Sequence, residues 1–217
     1  MSTARSMAAI LARSPVVPVV TIGDVAHAVP LAKALVRGGI RVVEVTLRTP
    51  VALKAIEAIA AEVPEILLGA GTVVTPADLH NAAQAGATFA ISPGSTAALL
   101  AAAQSASIPF LPGVATPSEI MLAVAAGFDH LKFFPAAVFG GTDALKAFGG
   151  PFPSLRFCPT GGISAENAAR YLALPNVVCV GGSWLTPAAA VSSGDWPLVE
   201  RLAREAVSSL SRAAPVH

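Results

Sequence analysis

Residues 38–71 read GGIRVVEVTLRTPVALKAIEAIAAEVPEILLGAG, and this stretch sets the expectation for the whole chain. A β-branched run over 41–47 is followed by an Ala- and Ile-rich segment over 50–62. A second apolar run then fills 65–71. Short apolar runs of strand length flanking a segment of helical length read as strand, helix, strand. Gly38-Gly39 closes the helix before the first run, as a left-handed C-terminal residue would. Thr49-Pro50 offers a capping hydroxyl before a proline at the first helical position.

The same unit recurs outward in both directions. Strand candidates fall at 16–22, 41–47, 65–71, 88–92, 110–114, 130–134, 156–160 and 177–182. Helix candidates fall near 25–37, 50–62, 76–85, 95–105, 117–126, 142–148, 164–173 and 197–212. Thr75-Pro76 and Thr116-Pro117 repeat the opening signal, and Gly86 and Gly127 repeat the closing one. Pro93, Pro112, Pro135 and Pro159 fall where strands four to seven would leave the sheet. Strict alternation means a parallel sheet covered by helices. Eight units in 217 residues suit a (β/α)8 TIM barrel near its lower size limit. No linker divides the chain, so the expectation is one α/β domain over 1–217: an N-terminal helical cap at 1–14 and a barrel at 15–212. An open doubly wound sheet is the other arrangement, but no GxGxxG turn follows the first strand.

Composition excludes several classes of protein. Lys and Arg number 14 against 13 Asp and Glu, so there is no basic excess of the kind nucleic acid requires. No Asp, Glu, Lys or Arg occurs between Asp78 and Glu119, yet Gly86, Pro93, Gly94, Pro109, Pro112 and Gly113 break that stretch. No apolar run of roughly 18–20 residues survives to span a membrane. Cys158 and Cys179 lack CxxC spacing and read as small buried hydrophobes. The N-terminal stretch has no continuous apolar core of signal-peptide length, which makes a cytoplasmic address the default.

Barrel enzymes place their chemistry at the carboxyl ends of strands. In the second strand candidate the period of two puts Glu44, Thr46 and Arg48 on one face and Val43, Val45 and Leu47 on the other. The apolar face packs on helices, so the polar face points inward. In the sixth, Lys132 points inward by the same rule, and it is the one lysine of four in a strand. A structural ion pair between Glu44 and Lys132 is one reading, though desolvating both charges costs several kcal/mol per ion. The other reading is chemical. A desolvated lysine favours the neutral amine, which attacks a carbonyl to form a Schiff base. A nearby carboxylate then moves the protons.

Arg48 would clamp a carboxylate, and Thr72, closing GAGT (69–72), would orient it. Each also has a plainer reading, as a surface arginine and as a turn cap. Thr160-Gly161-Gly162 and Gly181-Gly182-Ser183 end the last two strands, where barrels hold phosphate. Phe133 and Phe134 read as packing residues, with Phe134 also able to floor the pocket. His27, His80, His130 and His217 show no metal-binding spacing; His130 reads as a packed core residue.

Several of these segments match a known family. PVVPV (15–19), GGIRVVEVTLRTP (38–50), GAGTV (69–73), FAISPG (89–94) and PGVATPSE (112–119) are joined by LKFFPA (131–136), RFCPTGGIS (156–164) and VGGSW (180–184). Together they resemble the 2-keto-3-deoxy-6-phosphogluconate (KDPG) and 4-hydroxy-2-oxoglutarate (KHG) aldolases, from about residue 10 to 205. The resemblance implies a class I aldolase on a homotrimeric barrel, needing no metal and no cofactor. It would cleave a phosphorylated keto acid to pyruvate and glyceraldehyde 3-phosphate in the Entner–Doudoroff pathway, and also 4-hydroxy-2-oxoglutarate. It implies Lys132 as the Schiff-base lysine, Glu44 as acid and base, and Arg48 with Thr72 on the pyruvate carboxylate. Pro93, Phe134 and Thr160 would line the substrate, with Gly161, Gly162 and Ser183 on the phosphate. Ala137 stands where many members have glutamate. The alternatives are an aldolase for the galactonate epimer, a phosphosugar isomerase or epimerase, and a non-catalytic phosphosugar-binding barrel.

Overall fold

The computed structural model describes residues 6–210. Residues 1–5 of the expected cap, residues 211 and 212 of the last helix candidate, and His217 lie outside the described residues.

The strands are β1 (Val16–Val20), β2 (Val42–Thr46), β3 (Leu67–Gly71), β4 (Phe89–Ile91), β5 (Phe110–Leu111), β6 (Gly113–Val114), β7 (His130–Phe133), β8 (Arg156–Pro159) and β9 (Val180–Gly182). They pair in parallel as a six-stranded sheet, β5-β4-β3-β2-β1-β9, and a three-stranded sheet, β6-β7-β8. The fold is α/β with a curled parallel sheet. One uninterrupted hydrogen-bonded ring of eight strands, as expected above, is not what the pairing gives. The fifth strand candidate is split at Pro112, which has no N–H to give to a ladder. Pro112 therefore interrupts a strand instead of ending one, although its carbonyl still accepts from Lys132 N at 2.9 Å. Isolated parallel bridges, Phe157 with Val177 and Thr160 with Gly181, run between β8 and the chain of β9.

The helices are α1 (Met7–Leu11), α2 (Ala28–Arg37), α3 (Ala52–Glu62), α4 (Pro76–Gln84), α5 (Ala97–Gln104), α6 (Pro117–Ala125), α7 (Gly141–Phe148), α8 (Ala168–Leu172), α9 (Ala188–Ser193) and α10 (Trp196–Leu210). Thr75 and Thr116 open α4 and α6 through reciprocal capping boxes with Asp78 and Glu119, each with proline at the first position. Thr49 does not cap α3. Its hydroxyl donates to Ile22 O at 2.6 Å, and the helix starts three residues later. Gly39, Gly86 and Gly127 take positive φ after α2, α4 and α6, as their closing role requires. The helix expected at 25–37 begins as a 3-10 turn, Val25–His27, and α9 is an additional short helix.

Alternation along β2 sorts the interior. Val43 and Val45 join the main core with Leu31, Leu35, Ala55 and Ile56 from α2 and α3. Val42, on the opposite face, joins a second apolar cluster with Val17, Phe89, Ile91, Leu111, Cys158 and Cys179. Ile10 and Leu11 of α1 complete that cluster, fully covered. Burying two such side chains is worth about 1.5–3 kcal/mol each. The Cys179 thiol is held well above its ordinary value, first by its hydrogen bond with Cys158 and then by burial. Both cysteines are free and buried, as expected for small hydrophobes. Among the described residues no helix is long and apolar enough to cross a membrane.

Candidate active site

Two residues further along β2 from Val42, on the same inward face, the interior changes character. Glu44 pairs with Val19 of β1 and Gly69 of β3 in the ladders, and Lys132 pairs with Gly113 and Cys158. The Lys132 Nζ donates to Glu44 Oε1 at 3.0 Å and Oε2 at 3.4 Å. Only 5% and 2% of the two side chains are exposed, so solvent does little to screen the pair. Nζ also lies 5.3 Å from the centre of the Phe134 ring, a cation–π distance. Glycines make the space. A side chain at Gly71 would overlap the Glu44 carboxylate, and one at Gly69 would overlap the Phe89 ring.

Arg48 Nε donates to Thr72 Oγ1 at 3.1 Å. Thr72 holds φ +58, the left-handed region that costs a β-branched residue about 1–3 kcal/mol. That turn aims its hydroxyl back across β3 toward Arg48. The Nε edge of the guanidinium is thereby used, and its terminal nitrogens are left as a fork suited to a carboxylate.

A cavity of about 380 Å³ opens over Lys132. Arg48, Phe134 and Thr160 border it. Gly161, Gly162, Gly181, Gly182 and Ser183 border it as well. Gly161 and Gly162 take φ +98 and +76 in succession, a backbone that turns peptide N–H groups into a concavity. Their carbonyls are drawn away: Gly161 O accepts from Ala137 N at 3.0 Å and Gly162 O from Asn167 Nδ2 at 2.9 Å. A side chain at Gly181 would overlap the Thr160 hydroxyl, and one at Gly182 would overlap the Trp184 ring.

Of the residues singled out in the sequence, Glu44 and Thr72 reach the cavity through their bonds to Lys132 and Arg48, and Pro93 does not border it. Its backbone packs beneath Gly113, where a side chain would overlap it, and so it supports the strand beside Lys132. Ser92, before it, bonds Gly113 N at 3.0 Å through its buried hydroxyl. His130 is largely packed, with 14% of its side chain exposed, and its Nδ1 lies 2.7 Å from Oδ1 of the exposed Asp129. Sequence reasoning passed over Val19, Thr21, Ile163, Thr186, Pro187 and Ala188, which also border the cavity. The alternation in 15–21 puts Val17, Val19 and Thr21 on one face, and that signal was available. Among the described residues no group of three or more His, Cys, Asp or Glu is placed to hold a metal ion.

The comparisons with known proteins agree with this arrangement. A family model described as KDPG and KHG aldolase matches residues 7–202. The KHG/KDPG aldolase of Escherichia coli strain K12 is 56% identical over 202 residues, 93% of this chain and 95% of that one. The 2-dehydro-3-deoxy-phosphogluconate aldolase of Pseudoalteromonas atlantica is 55% identical over 92% of this chain and 93% of its own. Among solved structures, the KDPG aldolase of Legionella pneumophila, with pyruvate captured as a covalent carbinolamine, superposes with a TM-score of 0.91. It is 52% identical, over 92% of this chain and 97% of that one. The chain therefore belongs to the KDPG and KHG aldolase family.

Proposed function

We propose that the chain is a class I aldolase that cleaves 2-keto-3-deoxy-6-phosphogluconate to pyruvate and glyceraldehyde 3-phosphate, and 4-hydroxy-2-oxoglutarate to pyruvate and glyoxylate. The observation that carries this is the buried Lys132–Glu44 contact at 3.0 Å beneath a cavity bordered by both Arg48 and the glycine concavity. These suit a molecule with a carboxylate at one terminus and a phosphate at the other.

In this reading a proton passes from Nζ to the Glu44 carboxylate, leaving a neutral amine that adds to the C2 ketone. Glu44 returns the proton to the leaving hydroxyl, and water departs to give the protonated imine. Glu44, directly or through a water, then takes the C4 hydroxyl proton as the C3–C4 bond breaks. The electron pair of that bond passes into the imine, giving the enamine and the free aldehyde. Protonation at C3 and hydrolysis release pyruvate and restore the lysine. The imine nitrogen is the electron sink, so the reaction as written needs no metal or organic cofactor.

Arg48, with Thr72 held against it, binds the C1 carboxylate. Phe134 and Thr160 line the middle of the chain, Pro93 supports the wall, and Gly161, Gly162, Gly181, Gly182 and Ser183 hold the phosphate. The two sheets are read as the wall of one (β/α)8 barrel in a single domain. The Pro112 carbonyl, which accepts from Lys132 N, and the two bridges toward β9 support that reading. A cytoplasmic homotrimer fits the exposed Met121, Leu122 and Val124 of α6 and the exposed Val138 and Phe139, an apolar surface suited to contacts between copies. Light scattering at a mass three times that of the chain tests the trimer.

The test of the reaction is pyruvate release, coupled to NADH oxidation, from the phosphorylated gluconate and galactonate substrates and from 4-hydroxy-2-oxoglutarate. Turnover of the gluconate substrate is expected. Preference for the galactonate epimer would move the assignment to that aldolase, and no pyruvate from any of them would end it.

A further inference from the structure

Thr21 borders the cavity beside Val19, just past the end of β1, and no role has yet been given to it. Its hydroxyl lies 2.9 Å from the Thr46 hydroxyl, and the Thr46 hydroxyl donates to Val20 O at 3.0 Å. Each hydroxyl has one proton. When the fully buried Thr46 hydroxyl donates to the Val20 carbonyl, it accepts in the contact with Thr21, and Thr21 is then the donor. With its proton committed to Thr46, the Thr21 oxygen presents lone pairs alone to the cavity, where the residue is exposed. The relay Thr21 to Thr46 to Val20 O holds a hydrogen-bond acceptor at a fixed place in the wall.

That place is set by strand order. β1 lies between β9, which carries Gly181 and Gly182, and β2, which carries Glu44 and leads to Arg48. A group at the end of β1 faces the part of a bound molecule that spans the phosphate end and the cleaved bond. In the phosphorylated substrate this is C4 and C5. The C4 hydroxyl gives its proton away during cleavage, which leaves the C5 hydroxyl as the donor throughout the reaction. We propose that Thr21 is a specificity-determining residue that accepts a hydrogen bond from the C5 hydroxyl of the phosphorylated substrate. In 4-hydroxy-2-oxoglutarate C5 is a carboxylate, which has no proton to offer, so Thr21 favours the phosphorylated substrate over the dicarboxylate. The proposal rests on the aldolase reading above.

Thr21→Val keeps the shape of the side chain and removes the acceptor, while Thr21→Ser keeps it. The measurement is kcat/KM for both substrates, with borohydride trapping of pyruvate on each protein. Thr21→Val is expected to lower the ratio of kcat/KM, phosphorylated substrate over 4-hydroxy-2-oxoglutarate, roughly tenfold, about the worth of one hydrogen bond. Thr21→Ser is expected to restore the ratio, and all three proteins to trap pyruvate alike. An unchanged ratio in Thr21→Val, with trapping intact, overturns the assignment while leaving the aldolase standing. So does an equal loss on both substrates. If the wild-type chain traps no pyruvate and cleaves neither substrate, the aldolase reading itself falls and this one with it.

Discussion

The two ends of the strand interior are built on opposite principles. At the amino end Val17, Val42, Phe89, Ile91 and Leu111 close against Ile10 and Leu11 of α1, with no charged side chain in the cluster. One step of the pleat toward the carboxyl end, the same face of β2 carries Glu44, bonded to Lys132 in a setting almost as dry. The apolar end gains from burial. The polar end gives some of that gain back, since a buried ion pair is commonly no more stable than a hydrophobic filling of the same volume. An amine and a carboxylate kept out of water are worth having for what they do to a ketone.

Substitutions at the two ends should therefore separate activity from stability. The largest effect is expected from Lys132→Ala, which removes the nucleophile and leaves Glu44 buried without its partner. Turnover should fall by about 10³-fold or more, and urea denaturation should show a loss of about 3–5 kcal/mol. Replacing both partners with apolar residues, Lys132→Met with Glu44→Leu, should recover most of the stability and none of the activity. Glu44→Gln comes next: the amide cannot exchange protons, and kcat should fall about 10²- to 10⁴-fold.

At the other end, Leu11→Ala should cost about 2–5 kcal/mol in chemical denaturation. The kcat/KM of its folded fraction should stay near that of the unaltered chain. A large catalytic loss there, with the protein still folded, would mean the two ends are not independent. Thr72→Gly sits between the cases. It relieves the left-handed backbone and removes the hydroxyl bonded to Arg48, so the unfolding free energy from urea denaturation should hold or rise by about 1 kcal/mol. KM for the keto acid should increase.

The smallest effect concerns Cys179. Its thiol titrates well above the ordinary range in the folded chain. The folded state therefore keeps a proton that the unfolded state loses above about pH 8.5. This contribution to stability is complete below that pH and declines as pH rises toward the folded value. Cys179→Ala should flatten that part of the curve.

Alternation made the central pair legible before any coordinates. Strand two reads Val-Glu-Val-Thr-Leu-Arg, and a period of two leaves little choice about which residues face inward. Thr-Pro pairs and glycines marked the openings of α4 and α6 and the ends of α2, α4 and α6, because each has a local backbone cause. Three features escaped. The split at Pro112 depends on which ladder bond a missing N–H would have made. The α3 start depends on Ile22, 27 residues away from Thr49, which draws its hydroxyl off. Thr21 is an ordinary strand threonine until the Thr46 hydroxyl beside it is seen to be already committed. Each of these turns on a partner distant in sequence, which local pattern does not carry.

The most direct test of the central claim is to incubate the protein with pyruvate, reduce with borohydride and locate the adduct by peptide mass spectrometry. The account predicts one reduced pyruvyl group per chain, carried on Lys132 and absent when Lys132 is alanine. An adduct on Lys33, Lys54 or Lys146, or none at all from an enzyme that still releases pyruvate, would contradict it.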